Sequence, residues 1–327
     1  MKYLVLLFPL LFFSCGEPTL TAKPKKLNLD SLLVLYPDSV ELILKRGTRL
    51  VDKYYYDTAM PDAAKAFRLD SNNLEVRMLY ANVLNNRPER TVADVAAAQR
   101  QYKLIIKKQP KNTKGLVGLA STFSQQMDFD KSFEYINKAL RIDPKYRDAY
   151  IMKGSNYLFL NKPDLAKSSY ETAVQQDPNF YEGYLMLGAL YQAENNKICI
   201  EYYKTAAELK PKNTEVLFSL AYAEQLFGKA ENALVIYRKM IQIDTAYFQA
   251  LNQIGVIKQY DFNEIDSAIY YYNSAIQTEP RFVEAWHNLG TCYEAQGETT
   301  RALKSYAKAL KFNPEFTLSR DRANALQ

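Results

Sequence analysis

Histidine, tryptophan and cysteine are nearly missing from this chain of 327 residues, which holds one His, one Trp and three Cys. A lone histidine, His287, excludes every site built on paired imidazoles, and neither a cysteine nor a second histidine stands at metal-ligand spacing from it. It is expected at the surface, beside Trp286. Three cysteines, an odd number, give no complete disulfide framework. The eleven glycines form no phosphate-cradling loop and no nucleophile elbow. No metal, no cofactor and no catalytic group is therefore expected, and no enzyme. Charge of either sign is also undramatic. The formal balance of +6 is spread over the chain with no strong block beyond Lys23, Lys25 and Lys26, so it reads as a solubility term that does not imply nucleic acid. Long apolar runs are lacking too. The stretch Tyr3 to Phe13 has eleven residues, too short to cross a membrane as a stable helix.

What the chain does have is a 34-residue rhythm. With Val283 to Phe316 as ruler, Trp286, Leu289, Gly290 and Tyr293 stand at positions 4, 7, 8 and 11; Gly297, Ala302, Tyr306, Ala309 and Pro314 follow at 15, 20, 24, 27 and 32. Arg147 to Phe180 repeats it with Tyr150, Gly154, Tyr157, Ala166, Tyr170, Ala173 and Pro178, and Thr113 to Tyr146 with Leu116, Leu119, Ala120, Phe123, Ile136, Ala139 and Pro144. Tyr181 to Asn213 is one residue short and Phe248 to Phe282 one long, yet both keep their landmarks. Thr214 to Tyr247 puts Thr245 where the proline belongs. Two earlier copies are weaker: Val40 to Asn73 has Arg46 at the leucine slot, and Leu74 to Asn112 carries an insertion near Asn85 to Asp94.

This order of small, aromatic and proline residues resembles the tetratricopeptide repeat. The resemblance implies an all-α fold, an α-α superhelix of about eight helix-turn-helix units. Small residues at 8, 20 and 27 let two antiparallel helices approach, large ones at 4, 7, 11 and 24 fill the gaps, and proline ends the second helix. One unit cannot bury its own apolar face, so neighbours stack. The expected organisation is a signal peptide at 1–14, a lipidated N-terminus and tether at 15–39, two divergent repeats at 40–112, six repeats at 113–316 and a capping helix at 317–327. Cys199 at a small slot and Cys292 on a first helix are core thiols in this scheme.

The N-terminus suggests a compartment. Met1 and Lys2 precede the apolar run, and Phe12-Phe13-Ser14-Cys15 resembles a bacterial lipoprotein signal, in which the cysteine is acylated and becomes the new N-terminus. Several acyl chains, palmitate among them, would anchor the chain stably. The lack of Asp after Cys15 resembles lipoproteins of the outer membrane, here facing the periplasm. An ordinary signal with an incidental cysteine would instead give a periplasmic or secreted protein.

The resemblance also implies a concave groove that takes a protein or peptide. Positions 5, 9 and 12 of each first helix lie opposite the packing slots. They give Ile151, Ser155 and Leu158; Leu185, Ala189 and Gln192; Phe218, Tyr222 and Gln225; Asn252, Val256 and Gln259; and His287, Thr291 and Glu294. None is Lys or Arg, so the basic carboxylate clamp of the family's chaperone-binding members is not evident. Asn252 and Asn288 remain as candidates for holding an extended backbone. The expected groove has an apolar middle at Leu185, Phe218 and Tyr222 and a polar C-terminal end. An acidic line at Asp148, Glu182, Glu215 and Glu284 reads as first-turn acids favoured by the helix dipole. A non-enzymatic scaffold follows, with a glycan- or peptidoglycan-binding envelope protein as the other reading and self-association through the weak N-terminal repeats left open.

Overall fold

The computed structural model describes residues 28–327, and among them every regular element is a helix. The chain divides into two compact units, one reaching to Ala97 and one beginning at Ala98.

The first unit holds α1 (Leu29–Leu35), α2 (Val40–Val51), α3 (Tyr56–Leu69), α4 (Leu74–Asn86) and the start of α5 (Val92–Lys108). Helix α1 falls where a tether was expected. The Asn28 side chain accepts from the Ser31 amide at 2.7 Å, a helix N-cap, and Leu33 is buried in a cluster with Ile43, Ala66 and Val76. Leu29, Leu32 and Leu33, at helical spacing, outweigh the polar residues between them. Arg46, the misfit at a leucine slot, is explained by a partner sixteen residues away. Its guanidinium donates two bonds of 2.7 Å to buried Asp62, a fork geometry suited to a carboxylate. The insertion near Asn85 to Asp94 closes on itself. Thr91 N–H and O–H donate to Asp94 at 2.8 and 2.9 Å while Asp94 N–H donates back at 3.2 Å. This reciprocal cap starts α5, and the Thr91 amide holds the Asp94 carboxyl below its usual range.

In the second unit six antiparallel pairs follow: α6 (Thr113–Gln125) with α7 (Phe129–Ile142), α8 (Arg147–Phe159) with α9 (Pro163–Gln176), and α10 (Tyr181–Ala193) with α11 (Cys199–Leu209). Then come α12 (Thr214–Leu226) with α13 (Ala230–Ile243), α14 (Phe248–Tyr260) with α15 (Ile265–Thr278), and α16 (Val283–Ala295) with α17 (Thr299–Phe312). Helix α18 (Thr317–Ala325) closes the series against α17. The slot-8 glycines are contact points. A methyl at Gly154, Gly188, Gly255 or Gly290 would stand 2.5–2.6 Å from Cε1 of Tyr170, Tyr203, Tyr272 or Tyr306, the slot-24 ring of the same pair.

Each first helix of the six pairs stops through one left-handed residue: Met127, Asn161, Asn195, Gly228, Asn263 and Gly297 have φ between 53° and 75°. In all six turns the next amide bonds back to the slot-11 carbonyl, five residues earlier in five of them, as Lys162 does to Tyr157 at 2.8 Å and Glu298 to Tyr293 at 2.8 Å. This is a helix C-cap that favours Gly, then Asn.

Candidate protein-binding groove

The fifteen groove candidates sit on α8, α10, α12, α14 and α16, and their surroundings change along the stack. On the first three helices Leu158, Ala189 and Tyr222 are exposed, Leu158 at 40% and Tyr222 at 39%, while Ile151, Ser155, Leu185, Gln192, Phe218 and Gln225 are half-buried. Phe218 is the hub of an aromatic group. Its ring centre lies 6.3 Å from Tyr222, 5.8 Å from Tyr237 and 6.1 Å from Tyr247. Contacts of this kind add about 0.5–1.5 kcal/mol each beyond burial, so the Tyr222 ring lies beside a fixed platform.

On α14 and α16 the face is closed by its own side chains. Asn252, Gln259 and Thr291 are buried, at 5%, 7% and 8% exposure. Asn288 donates to Asn252 at 3.1 Å, Gln259 to Thr291 at 3.0 Å, and the Thr291 hydroxyl to the Asn288 carbonyl at 2.7 Å. The two asparagines read as holders of a partner backbone therefore hold each other. Val256 is half-buried. His287 is not a surface residue. It is half-buried, with Nδ1 3.0 Å from the Ser319 hydroxyl of α18 and its ring between Tyr306 and Phe316. Burial pushes its pKa down, aided by nearby Arg322, against the opposing pull of Glu294. Glu294 accepts from the Tyr306 hydroxyl at 2.7 Å and from Arg322 at 3.1 Å.

A rule emerges for the polar groove positions. The slot-24 tyrosines are buried, and a buried hydroxyl needs a partner. Ser155 meets Tyr170 at 3.2 Å; Gln225 and Gln259 accept from Tyr237 and Tyr272 at 3.3 and 2.9 Å. Glu294 does the same for Tyr306. These four groups are spent on the fold.

The structure adds residues that sequence reasoning passed over. Tyr247 and Phe316, at slot 34, pack on the slot-5 residues Phe218 and His287. Their signal is an aromatic residue just before four first helices, at Tyr146, Phe180, Tyr247 and Phe282, and before the closing helix α18, at Phe316. A search for Ser, Thr, Asp or Asn caps overlooks it. Of the acidic line, Asp148 accepts from Arg147 at 2.8 Å, whereas Glu215 and Glu284 are exposed. Cys199 and Cys292 are free and buried. Burial raises both thiols, Cys292 to about 12, which leaves them unreactive. No group of three or more His, Cys, Asp or Glu able to hold a metal occurs among the described residues. Cys15 and the signal sequence lie outside those residues.

Sequence models agree with the geometry over three of the helix pairs. Models of the tetratricopeptide repeat match residues 113–146, 148–180 and 283–316, so the chain carries tetratricopeptide repeats in an all-α array of stacked helix pairs. It is similar to human tetratricopeptide repeat protein 6, with 24% identity over 58% of this chain and 36% of that protein. It is also 27% identical to a fruit-fly homologue of the BBSome complex member BBS4, over 46% of this chain and 31% of that one. The chain thus spans about a third of the length of these relatives. Among solved structures, the C-terminal part of a repeat protein from Cytophaga hutchinsonii shares the fold, with TM-score 0.60 and 14% identity over 75% of this chain and 98% of that one.

Proposed function

We propose that this protein is a non-enzymatic scaffold whose second unit holds a partner segment on the faces of α8, α10 and α12. The carrying observation is the contrast along that face. Polar groups of α14 and α16 are bonded to one another, while Leu158, Leu185, Ala189, Phe218 and Tyr222 offer apolar surface that bonds to nothing polar within the fold. An exposed aromatic beside a fixed ring is the usual anchor of a protein contact, because little side-chain freedom is lost on binding. The period of the stack, one unit about every 34 residues, suits an extended segment or an amphipathic helix that touches several units.

The proposal places the protein in a bacterial envelope, attached through acyl chains on Cys15 and facing the periplasm from the outer membrane. The sequence Phe12-Phe13-Ser14-Cys15 at the end of the apolar run supports this part.

Two experiments test the reading separately. Intact mass and envelope fractionation of the native protein beside Cys15→Ala should show a lipid mass on a chain starting at Cys15, lost with membrane attachment in the variant. An unmodified soluble product removes the anchor. Affinity capture from solubilised envelopes with wild type and Tyr222→Asp should return a partner that the variant loses. Capture that is the same for both removes the groove, and saturable binding of wall fragments would favour a glycan-binding protein instead.

A further inference from the structure

The last helix pair carries a second feature, away from the groove, that the scaffold reading does not use. Trp286, the only tryptophan of the chain, borders a pocket of about 420 Å³ whose other walls are Lys304, Ser305, Ala307, Lys308 and Lys311 of α17. Its indole N–H donates to the Pro280 carbonyl at 2.9 Å, which fixes the ring. Lys308 stands over that ring with Nζ 6.0 Å from its centre.

Lys304, Lys308 and Lys311 follow each other at i, i+4 and i+7, so they form one stripe of roughly 10 Å along the helix. All three are exposed. Among the described residues no carboxylate forms an ion pair with any of them, which leaves the three charges open to a partner, unlike Lys131 with Asp128 or Lys167 with Glu194. Three lysines at these positions belong to this pair alone; α7 has Glu134, Lys138 and Arg141 there, with Lys138 paired to Glu134. The corresponding positions hold Glu201, Thr205 and Glu208 on α11, Val235, Lys239 and Gln242 on α13, and Tyr270, Ser274 and Gln277 on α15. Packing does not require it, because Ala302, Tyr306 and Ala309 on the opposite face of α17 make the core contacts.

We infer that this face of the last pair is a docking site for an acidic polypeptide segment bearing an apolar anchor. Charge complementarity selects the acid: three ammonium groups one helical turn apart match carboxylates at a similar interval. The apolar floor selects the anchor. Trp286, Ala307 and the lysine stems would receive an aliphatic or aromatic side chain, and a bare phosphate would leave that floor empty. Such a site would give the protein a second handle, independent of the groove on α8, α10 and α12.

Because Trp286 is the sole tryptophan, its emission reports on the site directly. The full chain is titrated with a short helical peptide carrying glutamates at i, i+4 and i+7 beside a leucine, and with the same peptide bearing glutamines. The acidic peptide should shift the emission saturably. Binding should weaken about tenfold or more with the glutamine peptide, at high salt, and in a Lys304→Gln, Lys308→Gln, Lys311→Gln variant. That variant touches only exposed groups; circular dichroism confirms its fold. Binding that ignores the three lysines overturns the inference. So does a lysine-dependent shift with vesicles of anionic phospholipid or with inorganic phosphate when the acidic peptide gives none.

Discussion

At the scale of single residues, the fold rests on positions where one atom more or less decides the fit. Gly255 faces the fully buried ring of Tyr272, and a methyl there would sit 2.6 Å from the ring carbon. The ring is fully buried and its hydroxyl is bonded to Gln259, so Gly255→Ala should cost about 1–3 kcal/mol, read as a lower denaturation midpoint. Met127 works in the other direction. It occupies a left-handed position, φ 60°, where four of its counterparts use Asn or Gly in the same turn geometry and its side chain is 76% exposed. Met127→Gly removes the steric cost and little packing, so stability should rise by about 1 kcal/mol, visible as a higher Tm. A lower Tm would mean the thioether makes contacts that its exposure hides. Polar and charged residues inside the helix stack are answered by specific partners rather than by the repeat template. Arg46 finds Asp62. Glu224, acidic at an aromatic slot and only 2% exposed, finds Lys229 at 3.5 Å and Lys204 at 4.0 Å. Asn156 donates to Ser132 at 2.7 Å across neighbouring pairs. A repeat pattern describes each position against a template, so pairwise exceptions of this kind stay hidden until both partners are placed.

At the scale of elements, the six repeats at 113–316 were legible because small residues at slots 8, 20 and 27 and a large one at slot 24 state in sequence alone how a helix pair packs. Which faces stay open was less legible. Periodicity assigns Asn252, Gln259 and Thr291 to the same face as Tyr222, but side chains of the next helix cover them, and that depends on the identities of the residues opposite. Helix α18 shows the same effect at the end of the stack, where Ser319 and Arg322 reach His287 and Glu294. The histidine makes this contact pH-dependent. Its folded pKa lies below the unfolded value of about 6.5, so the unfolded state takes up the proton first. Stability is then full above that value and falls as pH drops below it. The Tm advantage of wild type over His287→Gln should therefore shrink between pH 7 and pH 5. A difference that is constant over this range would show that His287 contributes through packing alone.

At the scale of the whole molecule, contacts in the second unit run between successive and next-but-one helices, so a local change should spread to neighbours and fade. Hydrogen exchange of Gly255→Ala should rise most in α12 to α17 and least in α6 and α7; a uniform rise would show one cooperative block instead. The open apolar face of α8, α10 and α12 is proposed to receive a protein partner. The most direct measurement is photo-crosslinking in intact envelopes with a benzophenone side chain placed at Tyr222 or, as control, at Tyr270, a more exposed tyrosine (67% against 39%) on the second helix of a later pair. A discrete protein adduct is expected from position 222 and none of that mass from position 270. Equal adducts from both, or none from 222 while 270 captures a partner, would contradict it.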